Sequence, residues 1–303
     1  MALNLNKGTL GKFMIEERES SKCIGIAGLG LIGGSLGLDL QRLGYRVHGY
    51  AHKVKTAERA KERKLANEIS TDAKILSDCE IVILALPIDI LLNPEKNFIK
   101  SIASTSVVTD VGSVKVPILK VWEKLHPLFI GSHPMAGTEK FGVESGVNNL
   151  FFEKPWIITP TIKTDINAKK EVEKIAKKLG CKLISAEAGI HDEAVSLISH
   201  LPVLISATLL RTLKSQQSKS ILSLAKIIAS SGFADTTRVG GGNPKLNSSM
   251  IENNKNAILK SLSSYRWSLE QFEETILSQN WSELERQFEK TNLFRPEFIK
   301  EDL

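Results

Sequence analysis

The sequence predicts an α/β fold in which a doubly wound, mostly parallel sheet is followed by an all-α C-terminal domain. Three observations lead to this prediction. Short apolar, β-branched runs alternate with helical segments up to about residue 188, as in strands joined by crossover helices. Strand-like alternation then stops, and the later segments have helical composition. The 303 residues are enough for two domains with separate cores.

The first strand and helix enclose a glycine-rich turn. The apolar run Cys23 to Leu29 predicts the strand, and residues 32–43 predict the helix. In the pattern G-x-G-x-x-G, Gly28 permits the tight turn, Gly30 lets a pyrophosphate approach, and Gly33 lets the helix pack on the strand. The free N–H groups at the helix start hold the anion. The context favours a Rossmann-type dinucleotide site over a plain connecting turn, and its loop residues are Gly28, Leu29, Gly30, Leu31, Ile32 and Gly33.

The tip of the second strand indicates which dinucleotide binds. This strand runs from Tyr45 to Tyr50 and is followed by Ala51, His52 and Lys53. An NAD site has a carboxylate here, about 20 residues past the glycines, which bonds the ribose 2′-OH. The tip has no acid, and His52 and Lys53 would attract a 2′-phosphate. NADP is therefore favoured over NAD. If the tip is only a solvated turn, Ala51→Asp would leave that preference unchanged.

The remaining α/β elements follow in alternation. Residues 80–86 form a continuous β-branched run, typical of a strand buried on both faces, and the chain leaves the sheet at Leu86 and Pro87, which we assign to the cofactor site. The other predicted strands are 106–111, 128–130, 156–159 and 182–185, and the other helices are 56–64, 117–125 and 167–179. Pro117 suits a first helical turn, and Gly180 ends the last of these helices.

Four helices are predicted beyond His191, at 192–214, 219–230, 246–277 and 281–288. The chain then divides into a flexible tail (1–20), an NADP-binding Rossmann domain (21–188) and a helical substrate and dimerisation domain (189–303). The apolar run from Ala194 to Leu210 contains His200, Pro202 and three serines, which favours a buried helix over a membrane span. Part of it should be buried against a second subunit, giving a homodimer.

Composition excludes several classes of function. The net charge is +6, and the lysines are spread along the chain rather than clustered with aromatic residues, so we expect anionic small molecules as partners, and neither nucleic acid nor membrane. The first 20 residues lack the apolar segment of a secretory signal. Three scattered cysteines fit no disulfide framework or zinc motif, and the histidines have no ligand spacing. We therefore expect a cytoplasmic protein without a metal.

Polar loops follow three predicted strands, at 86–87, 110–115 and 132–139. Ligands of open α/β sheets bind outside the carboxyl ends of the strands. The third loop contains His133. The unperturbed pKa of histidine lies nearest neutrality, so His133 can take a proton from a hydroxyl as hydride leaves the same carbon. From position alone, a structural histidine that caps the loop is an equal alternative.

Several motifs together carry a family resemblance. Besides the glycine loop, they are Asp110-x-Gly112-Ser113-x-Lys115, the block from Gly131 to Glu139 (G-S-H-P-M-A-G-T-E), His191-Asp192, Ser199-His200-Leu201-Pro202 and Gly232 to Arg238 (G-F-A-D-T-T-R). In this order they resemble the prephenate/arogenate dehydrogenases of tyrosine biosynthesis, over about residues 22 to 285. The resemblance implies an oxidative decarboxylation of a cyclohexadienol that carries a ring carboxylate. Hydride passes to the nicotinamide, CO₂ leaves and the ring becomes aromatic, which makes the step effectively irreversible.

The resemblance also assigns roles to residues. His133 hydrogen-bonds the substrate hydroxyl and accepts its proton, and Ser113 orients His133. Arg238 holds a substrate carboxylate, for which a guanidinium that stays charged and bonds bidentately is suited. Glu139 and Asp235 belong to a polar network at the mouth of the site, and His200 faces the cleft.

Each of these roles has a plainer alternative. Ser113 could be a loop serine, Arg238 could pair with Asp235, and His200 could be a satisfied core residue. His191 and Asp192 are interpreted as an interdomain hydrogen-bonded pair rather than as part of the chemistry.

Val203 distinguishes between the two substrates. Prephenate-preferring members often carry a histidine directly after His-Leu-Pro, where this chain has Val203. Valine cannot bond an extra carboxylate or keto group, so with the NADP site it favours arogenate, whose conversion gives tyrosine. The alternative is a prephenate dehydrogenase that makes 4-hydroxyphenylpyruvate with NAD or NADP.

Two other readings stay open on the sequence. A β-hydroxyacid dehydrogenase of the 6-phosphogluconate type also joins a Rossmann domain to a helical one, but typically works with a catalytic lysine. A non-catalytic NADP-binding redox sensor would need no polar constellation at the strand ends.

Overall fold

A computed structural model describes residues 22–138 and 140–299. The predicted tail, residues 1–20, lies outside these ranges, as does Glu139. The chain separates into two compact units, one ending at Asn254 and one beginning at Lys255. The proposed domain boundary at 188/189 stays a prediction.

The first unit contains one eight-stranded sheet with the order β3-β2-β1-β4-β5-β6-β7-β8. Strands β1 to β6 are mutually parallel, β7 is antiparallel to β6, and β8 is parallel to β7. This confirms the doubly wound, mostly parallel sheet. The strands are Cys23–Ala27, Arg46–Tyr50, Glu68–Ser70, Ile81–Leu84, Val107–Asp110, Phe129–Pro134, Pro155–Thr159 and Lys182–Ser185.

Alternate residues of the central strands enter two separate apolar cores. Ile24 and Ile26 of β1 belong to one core, whereas Ala27 belongs to the other together with Leu84 of β4. Because both faces are covered, these strands are apolar throughout. The chain order reverses between β1 and β4, so the crevice for a ligand lies at the carboxyl ends of these two strands.

Within the described residues, six helices cover the sheet. They are α1 to α6, at Leu31–Arg42, Val54–Glu62, Ile88–Leu92, Lys96–Lys100, Val116–Leu125 and Ile166–Lys178. The predicted helices correspond to α1, α2, α5 and α6. The strand β3 and the helices α3 and α4 have only three to five residues each, too short for a periodic pattern to appear in the sequence.

Strand β6 is longer than predicted. The sequence predicts a strand over 128–130 followed by a loop that contains His133, whereas β6 continues to Pro134. The reason is the antiparallel partner β7, which pairs His133 with Ile157. The loop placement of His133 was therefore wrong, and the histidine lies on a strand.

The helical part of the first unit begins with a long helix from Ala188 to Lys214. It consists of α7 (Ala188–Val195), one π-helical turn (Ser196–His200) and α8 (Leu201–Lys214). By length and composition it could cross a membrane, and 28% of its most apolar window is buried in the described structure. It is followed by α9 (Lys219–Ile228), α10 (Ser231–Thr237) and α11 (Pro244–Asn253).

The predicted helix 246–277 is in fact two helices. It breaks at Asn254, between α11 and the helix α12 (Lys255–Leu277) of the second unit. The Asn254 side chain donates a hydrogen bond to the backbone carbonyl of Asp192 at 2.8 Å. This long-range contact cannot be predicted from the local periodicity of the sequence. In the second unit, α12 is followed by α13 (Trp281–Phe294), and Phe272 lies 5.4 Å from Phe288, centroid to centroid.

Candidate active site

The glycine loop has the geometry of a phosphate cradle. Gly28 has φ +95°, a region that favours glycine, and its N–H bonds Tyr50 O at 2.9 Å. A Cβ on Gly33 would lie 1.8 Å from Gly28 O, whereas a Cβ on Gly30 would meet nothing within 4 Å. Helix α1 has no side-chain cap and no acidic residue in its first turn. The loop therefore fits an anion bound by the first N–H groups of α1.

The other predicted cofactor residues lie at neighbouring strand ends. Ala51 is buried just past β2, with its N–H bonded to Ser70 O at 3.1 Å, and His52 and Lys53 are exposed. Leu86 and Pro87 follow β4, where a Cβ on Gly28 would lie 2.3 Å from Ala85 O. The ends of β1 and β4 thus meet at the glycine loop.

His133 is the start of a chain of three hydrogen-bonded side chains. Its Nδ1 lies 2.9 Å from Nε2 of His191, and the two rings meet edge to face. His191 Nδ1 lies 2.8 Å from Oδ1 of Asp192. His133 is half-buried, and the other two residues are buried. The chain Asp192–His191–His133 resembles the carboxylate–imidazole arrangement that orients catalytic bases.

Asp192 is fixed by the start of helix α5. Its Oδ1 also accepts the N–H of Lys115 at 2.7 Å, and its Oδ2 accepts that of Val116 at 2.9 Å. A carboxylate with these donors is an acceptor only, so His191 Nδ1 donates to it. His191 Nε2 then accepts from His133 Nδ1. This assignment, made from the hydrogen-bond network, leaves His133 Nε2 with a free lone pair.

A buried lysine lies beside the relay. Lys115 is fully buried, and its Nζ donates to the carboxylate of Asp110 and to the carbonyl of Ser132. Asp110 is held in turn by the N–H groups of Gly112 and Ser132, at 2.8 and 3.1 Å. Burial lowers the pKa of Lys115, and the charge of Asp110 opposes that shift. This pair ties the ends of β5 and β6 together.

The environment keeps His133 neutral. Burial lowers the pKa of His133 well below its ordinary value of 6.5, and the positive charge of Lys115 lowers it further, followed by His191 and His200. A neutral imidazole can accept a proton, which an imidazolium cannot. His133 therefore has the protonation state of a general base at neutral pH.

His200 belongs to the same network. It is fully buried in the π-helical turn, a feature often found at functional sites. Its Nδ1 lies 3.1 Å from Asn254 Nδ2, and its Nε2 has no hydrogen-bond partner among the described residues. Burial lowers its pKa to about 4. His200 is thus a buried, neutral residue that Asn254 links to the Asp192 backbone through two hydrogen bonds.

Three other predicted site residues, Ser113, Asp235 and Arg238, are not part of the relay Asp192–His191–His133. Ser113 is half-buried between β5 and α5, and within the described ranges no hydrogen bond joins it to His133. Asp235 and Arg238 are exposed on and just after α10. The turn that follows packs on α8, where Gly240 N–H bonds Ser206 Oγ at 2.8 Å. Glu139 lies outside the described residues. The roles of these four residues stay predictions.

Sequence reasoning interpreted His191 and Asp192 as an interdomain hydrogen-bonded pair, and the two side chains are hydrogen-bonded. It missed the link from His191 to His133 and gave no role to Lys115, Asp110 or Asn254. The motif Asp110-x-Gly112-Ser113-x-Lys115 was the available signal, because it ends a strand and opens a helix. The contact between His133 and His191 spans 58 residues, and no local pattern encodes it.

Comparison with known proteins gives a consistent result. Residues 36–185 match the model of the prephenate dehydrogenase nucleotide-binding domain, and residues 187–290 match the model of the prephenate dehydrogenase dimerization domain. The crystal structure of Synechocystis arogenate dehydrogenase is 40% identical, with a TM-score of 0.77 over 91% of this chain and 100% of that chain.

Two further relatives are similar over long stretches. The A. aeolicus prephenate dehydrogenase, solved with hydroxyphenyl propionate and NAD+, is 28% identical, with a TM-score of 0.86 over 92% of this chain and 98% of that chain. The prephenate dehydrogenase of Bacillus subtilis is 31% identical over 77% of this chain, and the aligned part is 64% of that enzyme. The chain thus spans slightly less than two thirds of the Bacillus relative.

Proposed function

The chain belongs to the prephenate dehydrogenase family, and from this membership we propose that it oxidatively decarboxylates arogenate to tyrosine with NADP+ as hydride acceptor. Members of this family are NAD(P)-dependent oxidoreductases. Because both domain models that match are those of prephenate dehydrogenase, a dehydrogenase of the 6-phosphogluconate type is no longer an alternative. The choice of substrate and cofactor within the family, and the roles of individual residues, form the proposal.

The observation that carries the proposal is the relay Asp192–His191–His133. His133 Nε2, with its free lone pair, accepts the proton of the substrate hydroxyl while hydride leaves the same carbon. The bound nicotinamide supplies the hydride acceptor. Loss of CO₂ then leaves its bonding electron pair in the ring, which becomes aromatic. His191 and Asp192 stabilise the imidazolium that forms on His133, because His191 accepts the His133 Nδ1–H and the chain of hydrogen bonds ends on a negatively charged carboxylate.

The cofactor proposal rests on both ends of the dinucleotide site. The uncapped start of α1 binds the pyrophosphate in the space beside Gly30. At the tip of β2, His52 and Lys53 are exposed and no acid is present. A 2′-phosphate meets a basic surface there rather than a repelling carboxylate, which supports NADP.

The substrate proposal rests on Val203, on the polar residues around Arg238 and on the identity to an arogenate dehydrogenase. Val203 is half-buried in the first turn of α8, one residue past Pro202, and offers no hydrogen bond to a keto acid side chain. We assign a substrate carboxylate to Arg238, with Asp235 and Glu139 in the surrounding polar network. The 40% identity to an arogenate dehydrogenase supports the same choice.

We further propose that the helical region forms a homodimer. Much of the apolar surface of helix 188–214 is exposed in the single chain, including Ile190, Leu197 and Ile198. Helix α9 adds Ile227, which is 81% exposed. The match to a dimerization domain supports coverage of this surface by a second copy. A dimer covers it without a membrane, as expected for a cytoplasmic enzyme.

The alternative function is that of a prephenate dehydrogenase, which converts prephenate to 4-hydroxyphenylpyruvate. The A. aeolicus and Bacillus relatives carry that name, and the former was solved with NAD+. The alternative from another class is a non-catalytic redox sensor. It would assign no function to the relay around His133.

Steady-state kinetics with four substrate pairs tests the proposal. Purified protein is assayed with arogenate or prephenate, each with NADP+ or NAD+. The proposal predicts the highest kcat/KM with arogenate and NADP+. A preference for prephenate would keep the family and overturn the argument from Val203, and no turnover in any pairing would favour the sensor.

The variant Ala51→Asp tests the cofactor part separately. A carboxylate at the tip of β2 would repel a 2′-phosphate and bond a 2′-OH, so the ratio of kcat/KM for NADP+ to that for NAD+ should fall by at least tenfold. An unchanged ratio would mean that residues 51–53 do not contact the adenosine ribose.

A further inference from the structure

Two cysteines and a histidine meet at the amino end of the central strands. Cys23 is the first residue of β1, Cys79 lies two residues before β4, and His48 is the third residue of β2. The two sulfur atoms are 3.3 Å apart, and Cys79 Sγ is 3.7 Å from His48 Nδ1. One donor atom from each of the three residues lies within 4.8 Å of the others. The glycine loop follows the opposite, carboxyl end of β1, so this cluster is not part of the dinucleotide site.

The fold encloses the cluster completely. Cys23, His48 and Cys79 are 1%, 8% and 2% exposed. The Cys79 thiol occupies space that is left by Gly25, since a Cβ on Gly25 would lie 3.1 Å from its sulfur. His48 Nδ1 also lies 3.0 Å from the carbonyl of Ile75, a bond that would have to yield to a ligand. His48 Nε2 has no hydrogen-bond partner within the described residues, so the imidazole can take its proton on that side.

Two thiolates and one imidazole form a soft donor set. Such ligands select monovalent copper or zinc among the biological metals. Structural zinc almost always takes four ligands, whereas the described part of the chain offers three at this closed position. Bonds of about 2.3 Å, as zinc makes to thiolate, would place two sulfurs roughly 3.8 to 4.0 Å apart. From the present 3.3 Å, the sulfurs would need to separate by about 0.5 to 0.7 Å.

We propose that Cys23, Cys79 and His48 bind one monovalent copper ion, which links β1, β2 and the start of β4. Binding displaces the two thiol protons to solvent. One cuprous ion and two thiolates leave one net negative charge. Arg46, at the position of β2 that pairs with Cys23, supplies a positive charge that offsets it.

Metal binding by the reduced full-length chain tests this proposal. The protein is kept anaerobic with a phosphine reductant, and Cu(I) is supplied as its bicinchoninate complex, so that only sites that outcompete the chelator are loaded. Native mass spectrometry should find one copper per chain, and the Tm should rise, because the folded state holds the three ligands together and binds the ion more tightly than the unfolded chain does. The variants Cys23→Ser and Cys79→Ser should lose the copper and the Tm rise, with circular dichroism used to verify their fold.

Cys181→Ser is the matched control, because Cys181 bonds Phe151 O and lies outside the cluster. It should bind copper as the wild type does. Copper that persists in both Cys23→Ser and Cys79→Ser would overturn the site. Equal or tighter binding of Zn²⁺ in a parallel titration would overturn the choice of ion, and a mass lower by two hydrogens with no metal would show a disulfide instead. The readouts do not depend on arogenate turnover, so failure here leaves the proposed enzymatic function intact.

Discussion

The proton on His133 is positioned by a carboxylate that His133 does not touch. Asp192 accepts from His191 Nδ1, and His191 accepts from His133 Nδ1. Each step follows from the donor and acceptor inventory of the side chains. The result is one tautomer of His133, with its free nitrogen available to a substrate hydroxyl.

Asp192→Asn tests this positioning role. An amide can donate to His191 Nδ1, which would invert both imidazole tautomers and place a proton on His133 Nε2. We expect kcat to fall by roughly 10² to 10⁴, with KM and the Kd for NADP+ nearly unchanged. The control is Asp165→Asn, because Asp165 caps α6 in the same way but lies in no relay. A normal kcat in Asp192→Asn would contradict the assigned tautomers.

The pH profile reports the environment of His133. The base is active when neutral, so kcat/KM is lost as the pH falls through the pKa of His133. Burial and Lys115 lower that pKa well below 6.5, so kcat/KM for arogenate should stay level as the pH is lowered through 6.5 and decline only further below. A half-maximal point at or above 6.5 would show that His133 is solvated or is not the base.

From the sequence, His133 was proposed as the base, but its hydrogen-bond partners were not predicted. The histidine lies in a recognisable block of the sequence, whereas Asp192 bonds the Lys115 N–H across 77 residues. Such contacts depend on how helix 188–214 lies against the sheet, and this packing has no local signature.

Among the elements, the connection from β1 to α1 shows how two glycines of one motif differ. Gly33 has no room for a side chain because Gly28 O lies where its Cβ would be, and Gly30 faces open space. Gly33 is therefore required by the fold, whereas Gly30 is proposed to leave space for the ligand.

The variants Gly33→Ala and Gly30→Ala should separate these effects. Gly33→Ala should lower the free energy of unfolding by about 3 kcal/mol and lower the Tm by several degrees. Gly30→Ala should leave the Tm of the free protein unchanged and raise the Kd for NADP+ at least tenfold, because the methyl group fills the pyrophosphate space. Calorimetry measures the Tm and the free energy of unfolding, and a binding titration measures the Kd for NADP+. Equal NADP+ affinity in Gly30→Ala and the wild type would contradict the phosphate cradle.

Most elements could be predicted from the sequence because periodicity and caps are local. The β-branched run of β4 and Pro117 at the start of α5 are examples. The exceptions depend on distant partners: β7 extends β6 past His133, and Asn254, bonded to Asp192 O, separates α11 from α12.

At the scale of the whole molecule, the two parts of the first unit differ in how they bury apolar surface. The sheet is covered on both faces by its own helices, whereas α9 has no buried residue in the single chain. Burial of such a surface against a second copy is favoured by roughly 25 cal/mol per Å², which supports the proposed dimer of the helical region.

Ile227→Asp tests the proposed dimer. A charge on this exposed face of α9 should convert the dimer to a monomer in light scattering at micromolar concentration, since the carboxylate would be buried without a partner. Ile162→Asp is the control, because Ile162 is fully exposed in a loop outside the helical region. A dimer that survives Ile227→Asp and dissociates with Ile162→Asp would place the interface elsewhere.

The most direct test of the account is the turnover of His133→Asn with arogenate and NADP+, measured beside the Kd for NADP+. Asparagine keeps a polar side chain but cannot accept the proton, so kcat should fall by roughly 10² to 10⁴ while NADP+ binds as in the wild type. His126→Asn, at a histidine that bonds Ala103 O away from the relay, should keep its kcat. Turnover of His133→Asn at the wild-type rate would show that another group accepts the hydroxyl proton.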